Sequence, residues 1–496
     1  MNLWFVLILL GIITYAVVER SISKITKTPV WLCWLVMMLP AILWTVWSNF
    51  NGDVQPPLTL IFIPLVVCPL IYSWLIQIGR IAPEPNSESN PESNKDKATD
   101  SPENEAPELA EEATQPLRPI NSEEETALRN CFPWNIYYLQ HIDYRPQAIL
   151  CRGKLKTVPE EAYKRIKKNV EGEFGDRFFL IFQESFRGQP FFALVPNPTA
   201  DQSDATKSLT RPGLALLLLL ITALTTTVAG VELQNFTQEQ IQAQPELILQ
   251  GLYYSIPLLL ILLVHELGHY FATRAYQIDC TLPYLIPIPF FLGTLGAFVQ
   301  RKTPLPNRQA LFDIAIAGPM AGFILTLPIL YYGLTQSQTV PLVENNLFDF
   351  SALDPSLSFC FALIAKVAMG NQLTPDVAIQ LHPIAIAGYL GFLLTAFNLM
   401  PVGQLDGGHI VHAVFGQRMA IAIGQISRFV AIIFALINPA FWVWTIILWF
   451  MPLLDRPALN DITELNNLRD LGGLLALALL LFILLPLPPT VANWIF

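Results

Sequence analysis

The chain has 496 residues, of which 53% are apolar and only 14% are charged, and its mean hydropathy is +0.45. This composition excludes an ordinary water-soluble globular protein and predicts an integral membrane protein. The formal net charge of −10 comes from one segment, residues 83–125, which holds thirteen acids and three bases, so that the rest of the chain is neutral.

Ten apolar stretches approach the length of about 20 residues that a helix needs to cross a bilayer. They lie near residues 3–19, 29–48, 57–79, 212–231, 250–273, 309–333, 381–400, 419–438, 440–454 and 471–494. The first stretch has neither a basic n-region nor an A-x-A cleavage site, and we interpret it as a retained anchor. The predicted fold class is therefore an all-α polytopic membrane protein of about ten transmembrane helices.

The composition changes along the chain predict five regions. Residues 1–80 form an N-terminal membrane domain of three spans. Residues 81–127, rich in Pro, Ser, Asn and acids, form a disordered acidic linker, with an acidic docking tail as the alternative. Residues 128–200 form a small soluble α+β domain, residues 210–454 the catalytic membrane core, and residues 455–496 a C-terminal span.

The soluble domain is predicted from one helix and two strands. In "TVPEEAYKRIKKNVEGEFG", Thr157 and Glu160 have the spacing of a capping box at a helix start. "RFFLIFQ" and "PFFALVP" are typical of two strands joined by a turn around residues 187–189.

Basic residues near the ends of the predicted spans indicate the orientation, because they are retained on the cytoplasmic side. They include Arg20, Lys24, Lys27, Arg80, Arg274, Arg301, Lys302, Arg308, Arg418, Arg456 and Arg469. The opposite loops carry mostly acids, against a single Lys366. This pattern predicts an outside N-terminus and a cytoplasmic linker and soluble domain. The six cysteines, which show no C-x-x-C spacing, are assigned no disulfide, metal or redox role.

The stretch "LLVHELGHYF" places His265, Glu266 and His269 inside an apolar span. Two histidines four residues apart share one face of a helix and can both bind one Zn²⁺. Glu266 is close enough to act as the base on water. Because ionisable groups within a span are costly and usually functional, a zinc site is favoured over two histidines satisfied by neighbouring helices.

A catalytic zinc site needs a third protein ligand. The best candidate is Asp406 in "NLMPVGQLDGGHIVHA", where Pro401 and the glycines at 403, 407 and 408 loosen the chain so that the carboxylate can turn inward. His409 is the main competitor and His412 a weaker one.

The paired motifs "HELGH" (residues 265–269) and "NLMPVGQLDG" (residues 398–407) resemble those of the site-2 protease family of intramembrane zinc metalloproteases. The segment 293–319 and the domain around "CRGKL" resemble the chloroplast and cyanobacterial branch, and the resemblance covers about residues 130–460. The family commonly has a proline where Leu399 stands here, which leaves the kink at Pro401 intact.

The resemblance implies roles for individual residues. Asp406 would be the third zinc ligand, Glu266 the catalytic base, and Asn398 a residue that contacts substrate near the site. From the residues alone, Asn398 is equally compatible with a buried hydrogen bond between helices.

The segment "PYLIPIPFFLGTLGAF" has too many prolines and glycines for a straight span, among them Pro283, Pro287, Pro289, Gly293 and Gly296. We predict a partly extended re-entrant segment that lines the active site, since non-helical backbone at membrane depth requires protein or a wet cavity beside it. Its edge could hold an unwound substrate as an added strand, and Gly293 and Gly296 are the predicted substrate-binding positions.

Two other features indicate contacts between helices. Gly318 and Gly322 in "GPMAG" are typical of close helix packing. Asp313 and Arg428 are candidate ion-pair partners.

The sequence thus predicts a zinc metalloendopeptidase that cleaves transmembrane protein substrates, with the lipid bilayer as its medium and no nucleic-acid partner. The alternatives are a non-catalytic zinc carrier or transporter, which would not need Glu266, and an inactive protease-like scaffold. The expected location is a bacterial plasma or thylakoid membrane. The oligomeric state is left open.

Overall fold

The computed structural model divides into two compact units, residues 1–109 and 110–496. It describes residues 11, 14–15, 18–19, 28–51, 64, 68, 71–72, 75, 120–145, 148–185, 188–197, 211–234, 236, 238–288, 292–342, 350–374, 377–437 and 441–496. Most of the predicted spans near 3–19 and 57–79 and most of the predicted linker lie outside the described residues. The main described element of the first unit is helix α1, Val30–Asn51, whose apolar sequence contains Pro40.

The second unit begins with a small α+β module. Its elements are α2 (Ser122–Asn130), β1 (Tyr137–Arg145), β2 (Ala148–Leu155), α3 (Pro159–Phe174), β3 (Phe178–Glu184) and β4 (Pro190–Pro196). The four strands form one antiparallel sheet in the order β1-β2-β4-β3. The two predicted strands are confirmed. The first residues of α2 fall in the segment that the sequence assigned to the linker, and Ile120 is buried in the core of this module.

The predicted capping box at Thr157 is wrong. Helix α3 starts at Pro159 without a side-chain cap, because a proline in the first turn already has helical φ and leaves no N–H to satisfy. The Thr157 hydroxyl instead lies 3.3 Å from a Glu161 carboxylate oxygen. A capping box is present at α2, where the Asn121 side chain accepts from the Glu124 N–H and Glu124 accepts from the Asn121 N–H.

The remainder of the second unit is mostly helical. Its helices are α4 (Pro212–Glu232), α5 (Gln238–Ala243), α6 (Leu247–Gln250), α7 (Leu252–Ala275), α8 (Arg308–Thr335), α9 (Phe359–Met369), α10 (Pro383–Asn398), α11 (Asp406–Phe415), α12 (Gln417–Ile437), α13 (Trp442–Phe450), α14 (Asn467–Leu484) and α15 (Pro489–Ile495). Two short antiparallel pairs accompany them, formed by β5 (Tyr284–Pro287) with β6 (Thr294–Phe298) and by β7 (Gln338–Pro341) with β8 (Val377–Gln380).

Six helical segments among the described residues are long and apolar enough to cross a membrane. They are Val30–Trp47, Pro212–Glu232, Leu247–Ala275, Arg308–Thr335, Gln417–Leu436 and Asn467–Leu484. The predicted span near 381–400 is the shorter apolar helix α10, of 16 residues, and the one near 440–454 is α13, of 9 residues. The chain is therefore a mostly helical polytopic membrane protein, although the described helices do not establish ten spans.

Helix α8 is the centre of the membrane core, packing against α7, α10 and α11. Small residues allow these helices to approach closely, as is usual where lipid tails offer no hydrophobic driving force. A Cβ at Gly388 of α10 would lie only 2.7 Å from Leu330 Cα of α8. Asp313 of α8 does not pair with Arg428 as the sequence suggested. It pairs with Arg469 of α14 through two contacts of 2.7 and 2.8 Å.

The α+β module is joined to the core by the chain between α13 and α14. The Phe182 N–H at the outer edge of the sheet donates to the Leu459 carbonyl at 2.7 Å, and the Asp461 N–H donates back to the Phe182 carbonyl at 2.9 Å. The Leu459 N–H donates to the carbonyl of Leu305, just before α8, at 2.8 Å. Residues 459–461 thus connect the sheet edge with the start of the central helix.

Candidate metal centre

The two histidines of the H-E-x-x-H motif lie one turn apart on α7 and are both shielded from solvent. His265 is 4% exposed, and the His269 side chain is 14% exposed. Their Nε2 atoms are 3.3 Å apart. The two ring nitrogens therefore converge on one point, as the helical spacing predicts.

A sharp turn after α10 brings Asp406 to this point. Gly403 has a left-handed φ of +55°, and a side chain there would overlap the Pro452 carbonyl oxygen. A side chain at Gly407 would overlap the Leu399 carbonyl oxygen. Only glycine fits both positions, and α11 consequently starts with Asp406 directed inward.

The three side chains form a metal-binding group within the described residues. Asp406 Oδ2 lies 3.3 Å from His269 Nε2 and 3.6 Å from His265 Nε2. A tetrahedral zinc ion with bonds of about 2.0–2.1 Å holds its ligand atoms about 3.4 Å apart. The observed separations of 3.3, 3.3 and 3.6 Å match that edge length. The donor set of two imidazoles and one carboxylate also suits zinc, so the site fits the ion.

Helix α8 fixes the orientation of the His269 ring. His269 Nδ1 lies 2.8 Å from the Ile314 carbonyl oxygen. Because a carbonyl can only accept, Nδ1 carries the hydrogen, and the lone pair of Nε2 is left for a metal. A Cβ at Gly318 of the same helix would overlap the His269 ring, and one at Gly322 would lie 3.2 Å from the His265 ring. The two glycines are packing residues, as predicted, and the groups that they accommodate are the two candidate ligands.

Glu266 lies beside the metal-binding group without belonging to it. It is 7% exposed, and its carboxylate faces the backbone N–H of Val299, the residue after β6.

A cavity of about 360 Å³ opens onto these residues, and its volume is within the range of small ligand sites. Its lining includes His265, Glu266, His269, Thr273, Ala297, Phe298, Val299, Arg301, Asn398, Gln404, Asp406 and His409. The Asn398 amide nitrogen lies 3.3 Å from His265 Nε2. Asn398 therefore lies next to the metal-binding group.

The segment predicted to be re-entrant is the β5–β6 hairpin, and the end of β6 and the residues after it line the cavity. Gly293, with a φ of +81°, packs against α4, where its carbonyl accepts from the Thr225 hydroxyl at 2.7 Å. Gly296, with a φ of +112°, faces open space. The predicted role of these two glycines in substrate binding remains a prediction.

Sequence reasoning missed a second polar cluster behind Asp406. His412 is fully buried, with Nδ1 2.7 Å from Asp455 Oδ2 and Nε2 3.1 Å from Asp461. Burial opposes protonation of His412, but the two carboxylates raise its pKa to about 9. His409 Nδ1 lies 2.8 Å from the same Asp455 oxygen. The only sequence signal was the spacing of three between Asp406, His409 and His412, which puts them along one face of α11.

The described helices and the two-histidine, one-aspartate group together define a polytopic membrane protein with a metal centre of the metalloprotease type. A sequence model of "Peptidase family M50" matches residues 253–438. Residues 253–438 are thus similar to this peptidase family, and the relatives that the chain matches are described as chloroplast proteins.

Three relatives illustrate the match. The chain is 29% identical over 368 residues to "Probable zinc metalloprotease EGY1, chloroplastic" of Arabidopsis thaliana, with 69% of this chain and 66% of the relative covered. It is 27% identical to the protein of the same description from Oryza sativa subsp. japonica, with 69% and 63% covered. It is also 27% identical to "Probable zinc metalloprotease EGY2, chloroplastic" of Oryza sativa subsp. indica, with 72% and 65% covered. The chain thus spans just under two thirds of these relatives. No solved structure matches.

Gly318 provides a test of how α8 shapes the centre. We expect Gly318→Ala to push the His269 ring out of position and to weaken metal binding by about 10–100-fold, the size of effect seen when ligand orientation is lost. The measurement is zinc bound per purified chain during titration with a competing chelator. Gly213→Ala is the matched control, because a Cβ at Gly213 meets no atom within 4 Å. Equal zinc affinity in the two variants would contradict the packing role assigned to Gly318.

Proposed function

We propose that this protein is an intramembrane zinc metalloprotease that hydrolyses peptide bonds in or next to the transmembrane helices of membrane protein substrates. The observation that carries the proposal is the separation of 3.3, 3.3 and 3.6 Å between the three ligand atoms, with Glu266 next to them in the same cavity. The match of residues 253–438 to the peptidase family model and the names of the relatives support the same function.

In this proposal His265, His269 and Asp406 hold the zinc ion. When bound, zinc lowers the pKa of water and polarises a carbonyl. Glu266 takes a proton from the attacking water while the oxygen of that water bonds to the carbonyl carbon of the substrate. It then gives that proton to the leaving amine as the carbon–nitrogen bond breaks.

The wall of the cavity supports an extended substrate. A peptide bond within a helix is shielded by its own hydrogen bonds, and a substrate helix must therefore unwind before it is cut. Strand β6 leads directly into the cavity at Ala297, Phe298 and Val299. We expect the unwound segment to add beside this hairpin as a further strand, and Asn398 to contact it near the zinc.

A zinc carrier or transporter is the second candidate function. A transport pathway usually repeats polar sites along its length, whereas only one metal-binding group lies within the described ranges. Glu266 also has no use in a carrier, since it is not in the ligand set. These two observations favour the protease.

The membrane arrangement belongs to the proposal as well. We expect ten spans, with the metal centre near the cytoplasmic face and the α+β module in the cytoplasm. The basic residues near the span ends support this orientation. The expected membrane is a bacterial plasma or thylakoid membrane.

Replacement of Glu266 separates metal binding from chemistry. We expect Glu266→Gln to retain about one zinc per chain while lowering cleavage by about 10²–10⁴-fold, the usual contribution of a general base. Asp406→Ala should lose both zinc and cleavage. The measurements are zinc content and cleavage of a panel of synthetic transmembrane peptides in micelles, with and without a chelator. Glu246→Gln, at an exposed position, is the control. Full activity of Glu266→Gln would exclude the assigned base.

Cysteine labelling tests the orientation. Lys156 in the module and Gln336 after α8 are both exposed. In sealed vesicles of known sidedness, an impermeant maleimide should label Lys156→Cys only from the cytoplasmic side and Gln336→Cys only from the other side. The unsubstituted protein is the control, because its six cysteines are buried. Labelling of both positions from one side would refute the arrangement.

A further inference from the structure

His409 stands beside the metal centre without belonging to its ligand set. It follows Asp406 by three positions on α11, and side chains at this spacing have Cβ atoms about 5–6 Å apart on one helix face. Its ring lines the same cavity as the two histidines of α7 and Glu266. It is not part of the group of three whose atoms converge. His409 is therefore within reach of a substrate held at that centre.

The two nitrogens of the His409 ring have different surroundings. Nδ1 is buried and lies 2.8 Å from Asp455 Oδ2, a close contact whose angle is not that of a hydrogen bond. Nε2 pairs with no group in the described part of the chain. It is also absent from the fully buried unpaired atoms, which means that it is accessible to solvent. Since the ring lines the cavity, its solvent-accessible edge is the one that carries Nε2. One nitrogen thus lies against the Asp455 carboxylate, and the other faces the cavity.

The Asp455 carboxylate is held by more than His409. It is 4% exposed, it lies 2.7 Å from His412 Nδ1, and its other oxygen accepts from the Arg456 N–H at 2.6 Å. His412 in turn contacts Asp461, whose N–H bonds to Phe182 of the module. A fixed carboxylate beside Nδ1 orients the ring, and an imidazole that carries a hydrogen on each nitrogen can donate from both.

We propose that His409 is a further catalytic residue of this protease, donating a hydrogen bond from Nε2 to the oxyanion that develops on the substrate carbonyl oxygen. As water attacks, the carbonyl electron pair moves onto that oxygen, and Glu266 accepts the water proton. His409 stabilises the new negative charge without giving up its own proton. When the carbon–nitrogen bond breaks, the carbonyl re-forms and the amine receives the proton from Glu266. Asp455 is the positioning residue.

This role rests on the proposed function, and it predicts a particular kinetic signature. A donor aimed at an oxyanion acts in the transition state and not in the bound substrate, and its removal typically lowers kcat by about 10²–10³-fold. We therefore expect His409→Ala to show that loss with nearly unchanged KM and full zinc content. His409→Gln, which keeps an N–H near the Nε2 position, should recover part of the lost kcat.

The experiment compares these two variants with wild type and with His141→Ala, an exposed histidine on the module. Zinc per chain, kcat and KM are measured on the best-cleaved transmembrane peptide of the panel. A second readout is the inhibition constant of a phosphinic peptide, whose tetrahedral oxygens resemble the oxyanion. We expect the inhibition constant to rise in His409→Ala by about the same factor by which kcat falls. His141→Ala should have the inhibition constant and kcat of wild type.

Three results would overturn the proposal. If His409→Ala keeps wild-type kcat and phosphinic peptide inhibition, His409 is not a catalytic group. If it loses zinc while wild type is fully loaded, His409 is a metal ligand. If fully zinc-loaded wild type cleaves no peptide of the panel, the proposed protease function itself fails, and this is seen before any variant is measured.

Discussion

The cost of burying polar groups in an apolar helix is the constraint on which the rest of this structure depends. His265, Glu266 and His269 lie within the apolar helical segment Leu247–Ala275, which is long enough to span a membrane. Such groups persist only where partners satisfy them. Here the partners come from three directions: a carbonyl of α8, a backbone N–H after β6, and the carboxylate at the start of α11.

Each of these partners requires a local feature of the chain. The carbonyl can reach His269 because Gly318 leaves room for the ring. The carboxylate can reach both histidines because Gly403 and Gly407 permit the turn after α10. The position of α11 is in turn fixed by Arg308, whose guanidinium donates to the Ala413 and Val414 carbonyls at 2.8 and 3.0 Å. The same helix, α8, therefore supports both halves of the centre.

The parts of the structure that the sequence predicted are those that depend on local spacing. The two histidines share a helix face because they are four residues apart, and the turn before Asp406 is evident from its glycines and proline. The paired strands at residues 178–184 and 190–196 follow from the apolar runs and the short turn between them. Helix α9, of 11 residues, was missed because a buried helix of that length has no distinguishing pattern.

The parts that it missed depend on contacts between distant residues. Asp455 meets His409 and His412 across more than forty positions, and in the sequence it resembles an ordinary acid in a polar loop. The connection of Phe182 with residues 459–461 is made by backbone groups. Because every residue carries such groups, no side-chain pattern in the sequence predicts this connection. This backbone pairing bonds the sheet edge of the module to the segment between α13 and α14.

We propose that His265, His269 and Asp406 would together hold one zinc ion per chain. X-ray absorption at the zinc edge of the purified full-length protein tests it most directly. The account predicts one zinc per chain, four nitrogen or oxygen neighbours at about 2.0–2.1 Å, and scattering from two imidazoles. Three imidazoles, a sulfur neighbour or six-fold coordination would contradict it.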